Sequence, residues 1–232
     1  MEPEIVDLQN FLNKMGANIQ GAGTNKITIE GKKSFKKDFS YNIMPDRIET
    51  GTFLCAGAIT KGSILLKKVN PKDVEPIISK LEDAGCNIGV GKNEIIIKAP
   101  KRLNSVDIKT MPYPGFPTDM QSIFASTLTI AKGTSVIVEN IFENRFKYIQ
   151  ELKKMGAKVS VDNNVAVIKG TRRLYGTKVK ATDLRGGAAM VIAGLSAKRN
   201  TTVENIEYIL RGYEDFNKKL NKLGAKIKIE DT

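Results

Sequence analysis

Two loops and two short turns carry the side chains best suited to chemistry in this sequence. The first loop reads Met111-Pro112-Tyr113-Pro114-Gly115-Phe116-Pro117-Thr118-Asp119-Met120-Gln121. Its three prolines stiffen the backbone and lower the entropy cost of holding one geometry. It delivers Asp119 to the head of a helix, where the carboxylate has two readings. It caps the helix, accepting N–H groups and suiting the dipole, or it is a general base on a rigid support. The second loop, residues 181–190, reads ATDLRGGAAM, with Gly186-Gly187 opening a helix beside Arg185. Bare backbone N–H groups, a positive helix end and a guanidinium together make an anion site. The alternative is a close-packed turn with Arg185 paired to Asp183. The turns are Ile141-Phe142-Glu143-Asn144-Arg145-Phe146 and Ile209-Leu210-Arg211-Gly212-Tyr213-Glu214. Convergence of Arg145, Arg185 and Arg211 would bind phosphate or carboxylate. Each arginine is equally suited to a surface salt bridge.

Composition narrows the chemistry further. The 232 residues contain no histidine. That removes Ser-His-Asp, Cys-His and His-metal sites, and leaves acid–base work to carboxylates, Lys, Tyr or Cys. Cys55 and Cys86 form no spacing motif. They read as buried structural thiols in a reducing cytosol, not as a disulfide or zinc framework. No metal and no cofactor is expected. The net charge of +12 points to an anionic partner or to a Lys-rich solvated surface. The lysines are scattered and aromatic residues make up 6% of the chain, which supports nucleic-acid stacking platforms poorly. No apolar run is long enough to span a membrane, and the acidic start does not look like a signal peptide. A cytoplasmic protein without membrane or nucleic-acid partners is the expectation.

The elements that must position these residues recur. Segments 10–31, 79–99, 150–170 and 217–231 each read as an amphipathic helix, a glycine and an alternating hairpin. Gly16, Gly85, Gly156 and Gly224 align with a period of about seventy residues. Upstream, segments 49–69, 119–141 and 186–206 each give an apolar helix, a turn and a short strand. These helices are apolar nearly all round and should be buried. A complete unit is therefore strand-helix-strand-helix-strand-strand, and three units follow residue 39. Residues 1–38 hold only the second half of a unit. That half buries its apolar face badly, which suggests a chain cut in mid-repeat, the alternative being a capping half-repeat.

The motifs MPDRIETGTFL (44–54), PYPGFPTDMQ (112–121), FENRF (142–146), GAKV (156–159), ATDLRGGAA (181–189) and RGYE (211–214), in this order, resemble the enolpyruvyl transferases, and among them the UDP-N-acetylglucosamine 1-carboxyvinyltransferases. The resemblance covers essentially the whole chain. It implies an α/β fold of inside-out barrels, with residues 1–38 ending a first barrel and residues 39–232 forming a second. It implies transfer of the enolpyruvyl group of phosphoenolpyruvate to the 3′-hydroxyl of UDP-N-acetylglucosamine, a step of peptidoglycan synthesis.

By motif, the resemblance makes Asp119 the candidate base beside the sugar hydroxyl. Ile141, with Phe142 adjoining, becomes a nucleotide-sugar contact. Arg185, Arg211 and, less directly, Arg145 fall around phosphoenolpyruvate. The family's N-terminal Lys-Asn and its mobile loop with a proton-donating cysteine have no counterpart among these residues. The chain alone is therefore expected to be inactive and to need the N-terminal half of the enzyme as partner. A nucleotide-sugar-binding module without turnover, and a basic repeat protein binding nucleic acid, are the competing readings.

Overall fold

Each unit of the repeat is organised by a helix that is apolar on nearly all sides. Such a helix has no face to offer water and must be enclosed. The computed structural model describes residues 1–230, so Asp231 and Thr232, the end of the second expected barrel, lie outside the described residues.

The chain opens with α1 (Pro3–Lys14), β1 (Asn18–Gln20) and β2 (Thr28–Glu30). The first repeat unit follows as α2 (Arg47–Ile59), β3 (Ser63–Lys67), α3 (Glu75–Asp83), β4 (Asn87–Val90) and β5 (Glu94–Lys98). The second is β6 (Ile108–Lys109), α4 (Thr118–Leu128), β7 (Thr134–Val138), α5 (Ile149–Lys154), β8 (Lys158–Asp162) and β9 (Val165–Lys169). The third is β10 (Lys178–Lys180), α6 (Leu184–Ser196), β11 (Thr202–Glu204), α7 (Glu207–Leu210) and α8 (Phe216–Lys222).

Helices α2, α4 and α6 pack on one another in the centre. Leu54, Met120, Ile123, Phe124 and Ile192 are fully buried among them. The sheets lie outside this bundle, so the architecture is α/β and inside-out. Strand order is β3-β5-β4 in one sheet, β6-β7-β9-β8 in the next, and a parallel pair β10-β11 in the third. Strand β5 alternates exposed and buried residues, with Ile95 and Ile97 facing the helices and Ile96 facing out. That period of two matches one face on the core.

The four aligned glycines each end a helix with a left-handed residue, at φ of 100°, 95°, 90° and 103° for Gly16, Gly85, Gly156 and Gly224. A side chain there would be strained. The hairpin entries are built alike as well. Asn13 exchanges two hydrogen bonds with the backbone of Ile19, at 2.7 and 2.8 Å. Asn221 does the same with Ile227, both at 2.8 Å.

Two expected elements differ. Among the described residues only the second unit has the full strand-helix-strand-helix-strand-strand order; no strand precedes α2 within the first. Residues 225–230 form no hairpin after Gly224, because no returning strand pairs with them among the described residues. The first helix is also barely covered: no residue of α1 is buried. It is held by polar ties instead. Arg47 bonds Glu2 at 2.6 Å and Glu4 at 2.7 Å, and the Tyr41 hydroxyl donates to Asp7 at 2.7 Å.

The inside-out arrangement predicts a sharp contrast between two isoleucines. Ile123→Ala, at the centre of the helix bundle, should cost about 2–5 kcal/mol of unfolding free energy. Ile96→Ala, on the outer sheet face, should change it by less than about 1 kcal/mol. Urea unfolding followed by circular dichroism reads both.

Candidate active site

The N-terminal ends of the three central helices meet at one end of the bundle. Asp46 caps α2, accepting from the N–H groups of Ile48 at 2.7 Å and Glu49 at 2.9 Å. Asp183 caps α6 in the same way, accepting from Arg185 N at 3.0 Å and Gly186 N at 2.9 Å. Helix α4 is different. Its cap position is Pro117, with no side-chain cap, and Asp119 lies in the first turn. The capping reading of Asp119 is therefore wrong. A proline-stiffened loop sets the helix start, and the carboxylate is free to point elsewhere.

It points into two arginines. Asp119 Oδ1 accepts from Arg145 Nη2 at 2.8 Å. Its Oδ2 accepts from Arg185 Nε at 3.1 Å and Nη2 at 3.0 Å. Both arginines are largely buried, while 41% of the Asp119 side chain remains exposed. The pairing of Arg185 with the side chain of Asp183 does not occur, because that carboxylate is committed to the helix N–H groups. Arg185 also covers the ring of Tyr213 at 5.5 Å, and Arg145 covers Phe142 at 5.0 Å. Such contacts hold a guanidinium plane in place. The buried Tyr213 hydroxyl shares a hydrogen bond of 2.9 Å with Thr52 on α2. Burial raises its pKa, although Arg185 beside it acts in the opposite direction. Arg145 Nε and Arg185 Nη1 are buried without a protein partner among the described residues.

Of the two readings of Gly186-Gly187, the geometry favours the close-packed turn. A Cβ on Gly186 would come within 2.5 Å of Thr182 Oγ1, and one on Gly187 within 2.6 Å of Ile209 Cγ1. These glycines let α6 pack closely, and the Gly186 N–H is taken by Asp183. Arg211 is exposed and joins no ion pair or side-chain hydrogen bond among the described residues. Its loop still reaches this end of the bundle, because Gly212 packs on Leu184 and Tyr213 lies under Arg185.

Two residues that hold the site were missed in the sequence. Glu139 is 4% exposed. Its carboxylate accepts from Thr110 Oγ1 at 2.7 Å, Thr118 Oγ1 at 2.9 Å, Ile141 N at 2.9 Å and Phe142 N at 3.1 Å. One buried charge thus joins the proline loop, the start of α4 and the turn that presents Ile141 and Phe142. Both of those side chains are exposed at the surface. The signal was present: Val-Glu-Asn-Ile occurs at 138–141 and again at 203–206. The second residue is Arg47, which covers the Tyr113 ring at 5.7 Å while bonding Glu2 and Glu4. Glu2 in turn accepts from Tyr113 N at 3.2 Å, which clamps the proline loop from outside.

The cysteines stand apart from this constellation. Burial pushes the Cys55 thiol up to about 12 and the Cys86 thiol up to about 11. At pH 8 both are overwhelmingly protonated, and a thiol is a poor nucleophile.

Known proteins resemble this chain in sequence and in fold. The sequence profile of the family EPSP synthase (3-phosphoshikimate 1-carboxyvinyltransferase) matches residues 1–231. The chain is 54% identical to UDP-N-acetylglucosamine 1-carboxyvinyltransferase 2 of Caldanaerobacter subterraneus, over 97% of this chain and 54% of that protein. It is 52% identical to the UDP-N-acetylglucosamine 1-carboxyvinyltransferase of Desulfofundulus thermocisternus, over 95% of this chain and 91% of that protein. The chain thus spans about half the length of most of the curated relatives it matches. Among solved structures it resembles the enolpyruvyl transferase NikO from Streptomyces tendae, with a TM-score of 0.85, 28% identity, and coverage of 98% of this chain and 55% of that one. EPSP synthase from Acinetobacter baumannii shares the fold at a TM-score of 0.74 and 19% identity, over 96% of this chain and 55% of that one.

Two outcomes follow from this geometry. Glu139→Gln keeps the shape but turns one of the two buried acceptor oxygens, which together take four donors, into an N–H donor and removes the charge that strengthens the remaining bonds. It should lower unfolding free energy by about 1–3 kcal/mol, whereas Phe142→Ala should leave it within about 0.5 kcal/mol. Thermal or urea unfolding distinguishes them. Iodoacetamide at pH 8 should leave Cys55 and Cys86 unmodified in the native protein and alkylate both in urea, as read by mass spectrometry.

Proposed function

We propose, from the premise that this chain belongs to the EPSP synthase family of carboxyvinyltransferases, that it supplies the second-barrel side of an active site that transfers the enolpyruvyl group of phosphoenolpyruvate to UDP-N-acetylglucosamine. Residues 1–38 then end a first barrel and residues 39–232 form the second. The observation that carries the reading is Asp119, exposed between Arg145 and Arg185 at the meeting point of the helix N-termini. Identity of about half to relatives named for that transfer supports the choice of substrates.

The chemistry assigns each residue a task. The sugar 3′-hydroxyl adds to the central carbon of phosphoenolpyruvate while a proton is added to its methylene carbon. The adduct then loses that proton and expels phosphate, restoring the double bond on the sugar. Addition needs a base for the hydroxyl, and Asp119 is the exposed carboxylate fixed in position to accept its proton. It also needs cations for the phosphate and carboxylate of phosphoenolpyruvate. Among the described residues Arg145 Nε and Arg185 Nη1 are buried N–H groups without a protein partner. Arg211, exposed at the same end, is free to close on an anion when one is present. Ile141 and Phe142 offer an apolar edge for the nucleotide sugar, held in place by Glu139.

The proton for the methylene carbon is the missing element. Cys55 and Cys86 are buried and protonated, away from this end of the bundle. The donor is therefore supplied by the N-terminal half of the enzyme, and this chain alone does not turn over. Peptidoglycan synthesis in the cytoplasm is the setting that the relatives' activity implies.

Phosphate release from phosphoenolpyruvate and UDP-N-acetylglucosamine should be absent with this chain alone and appear when an N-terminal half is supplied. In that reconstituted enzyme Asp119→Asn should lower turnover by roughly a hundredfold or more. Turnover by the unaided chain would contradict the division of labour. Affinity for the nucleotide sugar without turnover in any mixture would favour a binding module, and steeply salt-dependent binding to RNA or DNA alone would favour a nucleic-acid-binding repeat.

A further inference from the structure

The opposite end of the helix bundle carries its own charged cleft, of about 680 Å³. It lies where α2 and α6 end and is lined by Lys61, Lys101, Arg102, Arg172, Arg173 and Lys198, with no Asp or Glu in its lining. Beneath the rim the floor is apolar: Leu195 is part-exposed and Ile130 shows an edge, over the buried Ile59 and Leu103. With 13 residues in α6, this cleft stands about 20 Å from Asp119 along the helix axis.

The repeat builds the cleft. Lys61 and Lys198 each follow the last residue of a central helix, α2 or α6, by two positions. Lys101-Arg102 and Arg172-Arg173 each begin three residues after the end of a hairpin strand, β5 or β9. In both places the next residue is a buried leucine, Leu103 or Leu174, which anchors the backbone and leaves the cations at the surface. Cations near helix C-termini complement the dipole, and Arg102 does so directly. It donates to the carbonyls of Ala131 at 2.9 Å, Ile130 at 3.3 Å and Thr171 at 3.3 Å. Three helix ends supply only about −1.5 charge in all, so most of the six cations remain uncompensated. Among the described residues none of the six is in an ion pair. A cationic rim in a half-enclosed cleft focuses a positive potential on whatever enters it.

We infer that this cleft is a second anion site, separate from the transfer site, for an organic polyphosphate: two or more phosphates held by the rim on a body that lies on the apolar floor. The class is set by the two parts of the cleft. Several adjacent cations match several adjacent negative charges, and the part-exposed Leu195, with the edge of Ile130, rewards an apolar or aromatic body.

Isothermal titration calorimetry of the full chain with ATP and with inorganic tripolyphosphate, at low ionic strength, tests the assignment. Both should bind, ATP more tightly, and both should weaken as salt is added. The triple variant Arg172→Ser, Arg173→Ser, Lys198→Ser should lose at least about tenfold in affinity, the effect of one charge-assisted hydrogen bond. Its urea midpoint should match the parent, since all three side chains are exposed. Arg185→Met, at the other end, should leave ATP affinity unchanged. The inference is overturned if neither probe binds below millimolar, or if affinity survives the triple variant and falls with Arg185→Met. Tripolyphosphate binding as tightly as ATP would overturn the role of the apolar floor.

Discussion

The enclosure of three apolar helices within one bundle is the constraint on which the rest of this structure depends. Helices α2, α4 and α6 carry too few polar residues to face water, so the sheets must wrap them. The same packing aligns them in direction. Gly51 on α2 lies against Met120 on α4, and Asp119 on α4 meets Arg185 on α6. All three helix starts are therefore at one end, and their partial positive charges accumulate there. Asp46 and Asp183 each satisfy one of those helix starts. At α4 the cap is a proline, and the carboxylate that follows is turned toward arginines instead. One departure from ordinary capping thus frees a carboxylate to hold two arginines where the helix starts meet.

Around that position, charges are placed by other charges and by rings rather than by backbone alone. Asp119 fixes the ends of two arginines that stem from different parts of the second and third units. Phe142 and Tyr213 fix their planes. Glu139 fixes the turn on one side, and Arg47 with Glu2 fixes the proline loop on the other. A buried carboxylate with four donors is stable only while all of them are present. Glu139 therefore links the positions of Thr110, Thr118 and the Ile141–Phe142 turn.

The period of the repeat, the left-handed glycines, the buried helices and the β8–β9 hairpin were all legible in the sequence, because each follows from local pattern: a spacing, a glycine, an alternation. Arg145, Arg185 and Arg211 could be picked out as a converging set because they occupy matching loop positions; the structure brings Arg145 and Arg185 together on Asp119 and leaves Arg211 exposed beside them. What the sequence did not disclose depends on contacts between distant segments. Asp119 reads as either a cap or a base, because nothing local shows that Pro117 holds the cap position and that Arg145 and Arg185 take the carboxylate. Glu139 was hidden because a glutamate at the end of a strand reads as exposed until Thr110 and Thr118 are folded over it. Gly186 and Gly187 read as either an anion cradle or a close-packed turn, and the proximity of Thr182 and Ile209 decides for packing. The strand expected before α2 and the hairpin expected after Gly224 failed for a related reason, since a strand exists only where a partner pairs with it.

The central claim is that the helix-start end of the bundle, organised by Asp119, is where the nucleotide sugar is held. Amide chemical shifts of the isotope-labelled chain, followed by NMR as UDP-N-acetylglucosamine is added, test it most directly. The account predicts that the largest changes fall at Asp119, at Ile141 and Phe142, and around Arg185 and Arg211. Changes centred on the far end of the bundle, or spread evenly over the lysine-rich surface, would contradict it.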